Sequence, residues 1–151
     1  MADILTNSKA RHEYHILETF EAGIVLKGTE VKALRAGRGQ IREAFARIEN
    51  GQAYLYNAHI DEYSHGNLQN HDPNAVRKLL LHKSEIRKLV GLLAVKGQAL
   101  VPLSFHWKNG KVKVALGLGQ GKVQYDKRED IKRRDSEREV KRATMRSLKN
   151  K

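Results

Sequence analysis

The 151-residue chain contains no cysteine, and this absence removes several classes of protein at once. It excludes a disulfide scaffold, a cysteine-ligated zinc site and thiol catalysis. Met1 to Leu5 also lack the basic region and apolar stretch of a signal peptide. We therefore expect a cytoplasmic protein.

Long hydrophobic runs are missing as well. The longest, Leu89 to Val95, has seven residues and is interrupted by Gly91. A helix that spans a bilayer needs about 20 apolar residues. We therefore expect no membrane-spanning segment and no membrane partner.

The chain lacks the residue spacings that mark common catalytic and metal sites. His65, His71 and Asp72 share one loop, but their spacing has no metal-ligand period, and Asp72 before Pro73 is typical of a turn. No Ser, His and Asp constellation stands out, and no glycine-rich loop precedes a helix that begins with Lys-Ser or Lys-Thr. The sequence thus predicts no enzyme, no cofactor and no metal, and it disfavours an RNA-cleaving enzyme.

Positive charge, by contrast, is abundant. Lys and Arg number 29 against 17 Asp and Glu, which gives a formal net charge of +12 and a pI near 10.0. Such a surplus favours a polyanionic partner. By charge alone RNA, DNA and an anionic membrane are all candidates, and of these RNA is better supported than a membrane.

The C-terminal segment 122–151 carries half of this surplus. It holds 12 basic and 6 acidic side chains and only seven hydrophobic residues. A segment of this composition is expected to be disordered when free, and helical when a polyanion neutralises it. Tyr125 lies among its basic residues and is a candidate for stacking on a base. The alternative is a solvated tail that only aids solubility.

Residues 1–121 are expected to form one mainly β domain. Alternating hydrophobicity predicts strands at 13–18 and 20–26, with Gly117, Gly119 and Gly121 ending regular structure. Asn-Gly pairs predict two hairpins, the first joining 44–49 to 52–56 and the second joining 99–107 to 111–118. Residues 78–81 are a further candidate strand, and residues 61–75 are expected to form a loop.

Two helices are predicted between the strands. The first begins at a Thr29 N-cap and ends at Gly37, and the second begins at a Ser84 N-cap and ends near Gly97. About six short antiparallel strands with two or three flanking helices favour an OB-fold-like barrel, a fold that commonly binds nucleic acid across one face.

Several blocks of sequence closely resemble one family, small protein B. They are Asn7 to Tyr14, Phe20 to Leu26, Gly28 to Arg35, Asp72-Pro73, Arg77 to Leu81, Val101 to Leu103, Gly121-Lys122 and Tyr125 to Arg128. The resemblance implies an OB-like RNA-binding barrel over 1–121 and a basic tail over 122–151. It also implies a function: a monomeric adaptor that binds the tRNA-like domain of transfer-messenger RNA and delivers it to stalled ribosomes.

The resemblance also implies site residues. The RNA-binding positions of the family fall on Asn7, Glu21, Leu80 and Lys113. Glu21 would act by hydrogen bonding to base or ribose, because a carboxylate repels phosphate. Three positions have simpler alternatives. Glu21 could be only a surface charge beside a turn, Asn7 could merely cap or turn the N-terminal segment, and Leu80 could be core.

The tail residues Tyr125, Asp126, Lys127 and Arg128 correspond to the family's contact with the ribosomal decoding centre, and the rest of the tail would enter the empty mRNA channel as a helix. A second class remains open, which is a ribosomal protein with a basic extension. Such a protein would have a permanent place in the ribosome and would not need its tail for a discrete step.

Overall fold

The computed structural model describes residues 3–63 and 70–121, which form nine strands and three helices. The strands are β1 (Asp3–Thr6), β2 (Tyr14–Ile24), β3 (Gly39–Gln40), β4 (Phe45–Glu49), β5 (Gln52–Tyr56), β6 (His59–Ile60), β7 (Arg77–Leu80), β8 (Gln98–Lys108) and β9 (Lys111–Gly121). The helices are α1 (Ser8–Glu13), α2 (Gly28–Arg35) and α3 (Lys83–Leu93).

Six of these strands close into a ring. Their order is β8-β4-β5-β7-β2-β9, and β9 pairs back onto β8. Every pairing is antiparallel, and β1 adds to β8 while β3 and β6 form a small separate sheet. The predicted mainly β fold with flanking helices is confirmed.

The two Asn-Gly hairpins are also confirmed. The backbone φ angles are 51° and 73° at Asn50 and Gly51, and 52° and 75° at Asn109 and Gly110. Two consecutive positive φ values mark a type I′ turn, whose twist matches that of the flanking strands. The second hairpin therefore pairs Lys108 with Lys111 and, further along the ladder, His106 with Lys113.

The two strands predicted at 13–18 and 20–26 are in fact one strand, β2. The error arose because the register of β2 against β9 shifts between Ile16 and Glu18, where an irregularity interrupts the alternation. Leu17 sits at this irregularity and is exposed to solvent. The hydrophobic pattern changes phase there, which resembles a strand boundary in the sequence.

The prediction that glycines end regular structure after Leu118 is wrong, because β9 continues to Gly121. These glycines make room for neighbouring side chains. A Cβ atom at Gly119 would lie 2.7 Å from Cβ of Tyr14, and one at Gly117 would lie 3.0 Å from Cδ1 of Leu103. The strand continues because its backbone pairs with β2 on one side and with β8 on the other. The close neighbours leave no room for a side chain, but they do not disturb the backbone hydrogen bonds.

Both predicted helix starts are displaced by one or two residues. Helix α2 begins at Gly28, where the backbone N–H of Lys27 donates to Glu30, and α3 begins at Lys83, where His82 is the N-cap. In each case a glutamate at the third helical position accepts from the cap residue's N–H, which stabilises an earlier start. Gly37 has φ +68° and confirms the predicted end of α2.

The interior holds one buried ion pair amid apolar side chains. Arg77 donates to the carboxylate of Glu30, and both side chains are almost completely buried. The Arg77 guanidinium also donates to four carbonyl oxygens, those of Ala58, Asp72, Pro73 and Ala75. This one side chain therefore joins β7 to α2 and to the chain segments on either side of residues 64–69.

Within the described residues, no helix is long and apolar enough to cross a bilayer.

Candidate nucleic-acid interface

Three of the four predicted RNA-binding residues lie around one groove on the outside of the ring. The strand register places Leu80 of β7 and Lys113 of β9 on either side of Gly23 in β2. Glu21 lies two residues before Gly23 and so faces the same side of β2. The groove has a volume of about 450 Å³, and its walls include Glu21, Leu80, His82, Lys108 and Lys113.

The absence of a side chain at Gly23 opens the floor of this groove. A Cβ atom at Gly23 would lie 3.2 Å from Cβ of Leu80 and 3.5 Å from Nζ of Lys113. The apolar side chain and the ammonium group therefore approach each other directly over the glycine backbone. A ligand in the groove meets one apolar surface and one positive charge within a few ångströms.

Lys113 projects outward, as the sequence predicts. Val112, Val114 and Leu116 are buried, while Lys113 between them is only half-buried. An ammonium group in this position can neutralise a phosphate.

Glu21 is held by two side chains of β8, Lys108 and His106. Nζ of Lys108 donates to Oε2 at 3.0 Å, and Nε2 of His106 lies 3.3 Å from Oε1. The hydrogen bond from Lys108, followed by that from His106, holds the pKa of the Glu21 carboxyl below its ordinary value. Glu21 is therefore an ionised acceptor at neutral pH, suited to the N–H and O–H donors of bases and ribose.

Leu80 is not a core residue, which settles the alternative raised by the sequence. Its exposed fraction is 52%, whereas its neighbour Leu79 is 2% exposed. Strand alternation points Arg77 and Leu79 inward and Lys78 and Leu80 outward. An exposed leucine at the edge of a groove offers an apolar surface to an unpaired base.

Substituting these two adjacent leucines separates stability from binding. We expect Leu79→Ala to lower the free energy of unfolding by about 2–5 kcal/mol, because it opens a cavity. Leu80→Ala changes it by less than about 0.5 kcal/mol but weakens RNA binding about tenfold through lost apolar contact. Urea unfolding and filter binding measure the two quantities. Normal binding by a folded Leu80→Ala variant would remove Leu80 from the interface.

Asn7 lies elsewhere, in the interior. Its side chain is 1% exposed and caps α1 by accepting from the backbone N–H of Ala10 at 3.1 Å. Its amide nitrogen donates to the carbonyl oxygens of Ile41 and Pro102, both at 2.9 Å. This supports the capping alternative, since both amide hydrogens already have partners.

A second and larger cavity of about 710 Å³ lies between α1, α3, β4 and β8. Asn7 contributes to its lining together with Phe45 and Arg47, whereas Glu21, Leu80 and Lys113 do not. The structure thus brings together three of the four predicted residues and separates the fourth from them. The predicted tail residues Tyr125, Asp126, Lys127 and Arg128 lie outside the described residues.

Two residues that contact Glu21, His106 and Lys108, were not predicted from the sequence, and Lys108 also lines the groove. The Asn109-Gly110 turn contains the signal that could have found them. A two-residue hairpin fixes the register of its strands, so it places His106 opposite Lys113 and Lys108 opposite Lys111. Their contact with Glu21 depends on the pairing of β2 with β9, which has no such local signal.

Among residues 3–63 and 70–121, no group of three or more His, Asp or Glu side chains could hold a metal ion.

Comparison with known proteins identifies the family. The family model described as SmpB protein matches residues 4–146, which is almost the whole chain. The chain belongs to the SmpB family. The resemblance to small protein B seen in the sequence is therefore confirmed.

Two similar proteins are named SsrA-binding protein. The SsrA-binding protein of Bacillus subtilis (strain 168) is 56% identical over 137 residues, which cover 91% of this chain and 88% of the relative. The SsrA-binding protein of Alkaliphilus oremlandii (strain OhILAs) is 58% identical over 137 residues, with the same coverage.

A solved SmpB structure shares the fold. It is described as "tmRNA-SmpB: a journey to the center of the bacterial ribosome", and one of its chains matches this one with a TM-score of 0.68 and 53% sequence identity. The match covers 80% of this chain and 85% of the other.

Proposed function

We propose that this protein is the RNA-binding adaptor of bacterial ribosome rescue. It binds the tRNA-like domain of transfer-messenger RNA and delivers the RNA to stalled ribosomes, where the stalled peptide is tagged by trans-translation. It acts in the cytoplasm as a monomer without a cofactor. It is not an enzyme, because the ribosome performs the chemistry.

One structural observation carries the proposal. Glu21, Leu80 and Lys113 were assigned to RNA binding by resemblance, and they are far apart in sequence, yet they meet around one groove. Together they supply an acceptor, an apolar surface and a cation, which are the three elements that recognise an unpaired nucleotide. Relatives named SsrA-binding protein and a structural match described as tmRNA-SmpB support the same partner.

Each residue has a role in this proposal. Lys113 neutralises a phosphate, Leu80 contacts a base, and Glu21 accepts hydrogen bonds from a base or ribose. Asn7 acts indirectly, because its hydrogen bonds to Ile41 and Pro102 fix the start of α1 against the ring. Loss of Asn7 would therefore displace α1 and alter the surface around it.

The proposal divides the chain into an RNA-binding domain, 1–121, and a tail, 122–151. The tail enters the empty mRNA channel as a helix, with Tyr125, Asp126, Lys127 and Arg128 at the decoding centre. The charge of the tail supports this role, because its 12 basic side chains can neutralise the phosphates of ribosomal RNA that lines the channel.

The contribution of Lys113 can be measured from the salt dependence of RNA binding. If the domain contacts about four to six phosphates, log K against log salt concentration has a slope of about −3 to −5. Lys113→Ala removes one phosphate contact, so we expect its slope to be smaller in magnitude by about 1. Fluorescence anisotropy with the tRNA-like domain from 50 to 300 mM salt provides the measurement.

Lys78 provides a matched control. It is an exposed outward-facing lysine two residues before Leu80 on β7, and it does not line the groove. Lys78→Ala removes the same charge and is expected to change the slope less. An unchanged slope for Lys113→Ala, with unchanged circular dichroism, would exclude Lys113 from the interface.

The RNA that co-purifies with the protein from its own cells tests the function as a whole. The adaptor hypothesis expects transfer-messenger RNA to be strongly enriched. Recovery of ribosomal RNA alone, in stoichiometric amounts and in every ribosome, would indicate a ribosomal protein and contradict the adaptor hypothesis.

A further inference from the structure

The two side chains that hold Glu21, His106 and Lys108, form an arrangement that RNA contact by Glu21 alone does not explain. Glu21 belongs to β2, whereas His106 and Lys108 belong to β8, and β9 lies between these strands in the ring. Two side chains from β8 therefore reach across β9 to meet one carboxylate. A simple surface ion pair would need only one of them.

Each oxygen of the Glu21 carboxylate has its own nitrogen partner. Lys108 occupies Oε2 at 3.0 Å and His106 faces Oε1 at 3.3 Å. Two contacts fix both the position and the rotation of the carboxylate, whereas one contact would leave it free to turn. Each oxygen can accept more than one hydrogen bond, so both retain capacity for a ligand.

The held carboxylate remains accessible. The side chain of Glu21 is 41% exposed, that of Lys108 is 47% exposed and that of His106 is 21% exposed. His106 is the more enclosed partner, in register with Lys113 on β9 and with Asp3 on β1. Lys108 lies at the rim and also lines the groove.

We propose that His106 and Lys108 are positioning residues for RNA recognition by Glu21. They hold its carboxylate in one position and rotation, aimed into the groove, so that its remaining lone pairs accept hydrogen bonds from N–H or O–H donors of the RNA. This inference rests on the proposed function and deepens it, since it explains how a carboxylate serves in a site for a polyanion.

The electrostatic reason is specific to this surface. An isolated carboxylate repels nearby phosphates, and removing it would strengthen RNA binding. Lys108 offsets the charge of Glu21, and Lys113 adds a further positive charge on the same groove. A second carboxylate, Glu85, also lines the groove, so the two lysines offset the charge of both glutamates. The RNA therefore meets a groove whose carboxylates are balanced by lysines but which still contains a directed acceptor.

The alternative role for Lys108 is direct contact with a phosphate, independent of Glu21. A double-mutant cycle separates the two roles. If Lys108 acts through Glu21, removing Lys108 weakens RNA binding beyond the loss of its charge only while Glu21 is present. If Lys108 contacts a phosphate, removing it weakens RNA binding by the same factor with or without Glu21.

Lys111 provides the matched control for this cycle. It pairs with Lys108 across the Asn109-Gly110 turn, is exposed and does not line the groove. Lys108→Met and Lys111→Met in the full chain remove the same charge from the same hairpin. Only the first removes a hydrogen bond to Glu21.

Affinity for the tRNA-like domain of transfer-messenger RNA is measured by anisotropy for each variant. We expect Lys111→Met to weaken binding about twofold and Lys108→Met about tenfold, with Glu21→Gln weakening it about tenfold as well. In the Glu21→Gln background, Lys108→Met should weaken RNA binding no more than Lys111→Met does.

His106 is tested by conservative replacement. His106→Gln retains a side-chain N–H donor toward Glu21, whereas His106→Leu removes it. We expect the glutamine variant to bind within about twofold of the wild type and the leucine variant to bind about fivefold more weakly. Equal losses in both variants would overturn the positioning role of His106.

Carboxyl ¹³C chemical shifts provide a readout that needs no RNA. Lys108 is the leading cause of the low pKa of Glu21. Lys108→Met should therefore raise the midpoint of the Glu21 titration, and Lys111→Met should leave it in place. An unmoved midpoint in Lys108→Met would overturn the proposal.

These measurements distinguish failure of the positioning role from failure of the groove as the RNA site. If Glu21→Gln weakens binding but the Lys108 effect persists in that background, positioning is overturned and the groove remains the RNA site. If Glu21→Gln, Leu80→Ala and Lys113→Ala all bind normally, the groove itself is not the RNA site, and both proposals about it fall.

Discussion

Deletion of residues 129–151 should abolish peptide tagging on stalled ribosomes while leaving binding to the tRNA-like domain largely intact. The proposed RNA site consists of residues between Glu21 and Lys113, and all of its described contacts lie within residues 3–63 and 70–121. The ring of strands also closes without the tail, because β9 ends at Gly121. The truncation should therefore leave the fold and the groove as they are.

The loss of tagging follows from the proposed role of the tail. Segment 122–151 has too few hydrophobic residues to build a core, so its folding must be coupled to a polyanionic surface. Hydrogen exchange of the free protein should show little amide protection across 129–151, with protection appearing on the ribosome. The two functional readouts are gel-shift affinity for the RNA and tagging on ribosomes that lack a codon in the decoding site.

A tail of shuffled sequence is the appropriate control, since it keeps the length and charge of residues 129–151. If tagging needs only positive charge, the shuffled tail restores it. Equal loss of binding and tagging in the truncated protein would mean that the tail serves general RNA attraction. Full tagging by the truncated protein would show that the tail only aids solubility.

Arg77→Met should lower the free energy of unfolding by about 3–5 kcal/mol, because it leaves the buried carboxylate of Glu30 without its counter-charge. The Arg77 and Glu30 side chains are 2% and 5% exposed, so water cannot replace the lost contacts. The substitution also removes the donors to four carbonyl oxygens, that of Ala58 and three in residues 72–75 before β7. Urea unfolding followed by circular dichroism measures the change.

Arg87→Met is the matched control, because Arg87 is exposed on α3. It should change stability by less than about 0.5 kcal/mol. The double variant Arg77→Met with Glu30→Leu also removes the unpaired buried carboxylate and should recover part of the lost free energy of unfolding. A loss below about 1 kcal/mol in Arg77→Met would show that the ion pair does not hold the fold together.

The groove shows how far the site could be predicted. The resemblance predicted that Glu21, Leu80 and Lys113 bind RNA, and the structure places all three around one groove. The alternation of β9 correctly placed Lys113 on the outer face. The sequence could not decide whether Leu80 is core, because Leu79, Leu80 and Leu81 are all apolar and any phase of alternation fits them. Asn7 was ambiguous for a different reason, since an asparagine can cap a helix or bind a ligand.

Local chemistry accounts for what the sequence by itself determined. Asn50-Gly51 and Asn109-Gly110 require two positive φ angles and hence tight hairpins, and the apolar spacing of 86–93 requires a helix. The excess of positive charge indicates a polyanionic partner. The hairpins and the helix each depend on residues within a few positions of one another, and the net charge depends on composition alone.

Only the tertiary structure decided which distant segments meet. Arg77 and Glu30 pair across 47 residues, and Lys108 reaches Glu21 across 87. Such contacts depend on the order of strands in the ring and on the register of each pair, where a slip of one residue would turn every side chain to the opposite face. No local pattern specifies that register for β2, β7 and β9; the packing of the whole core does.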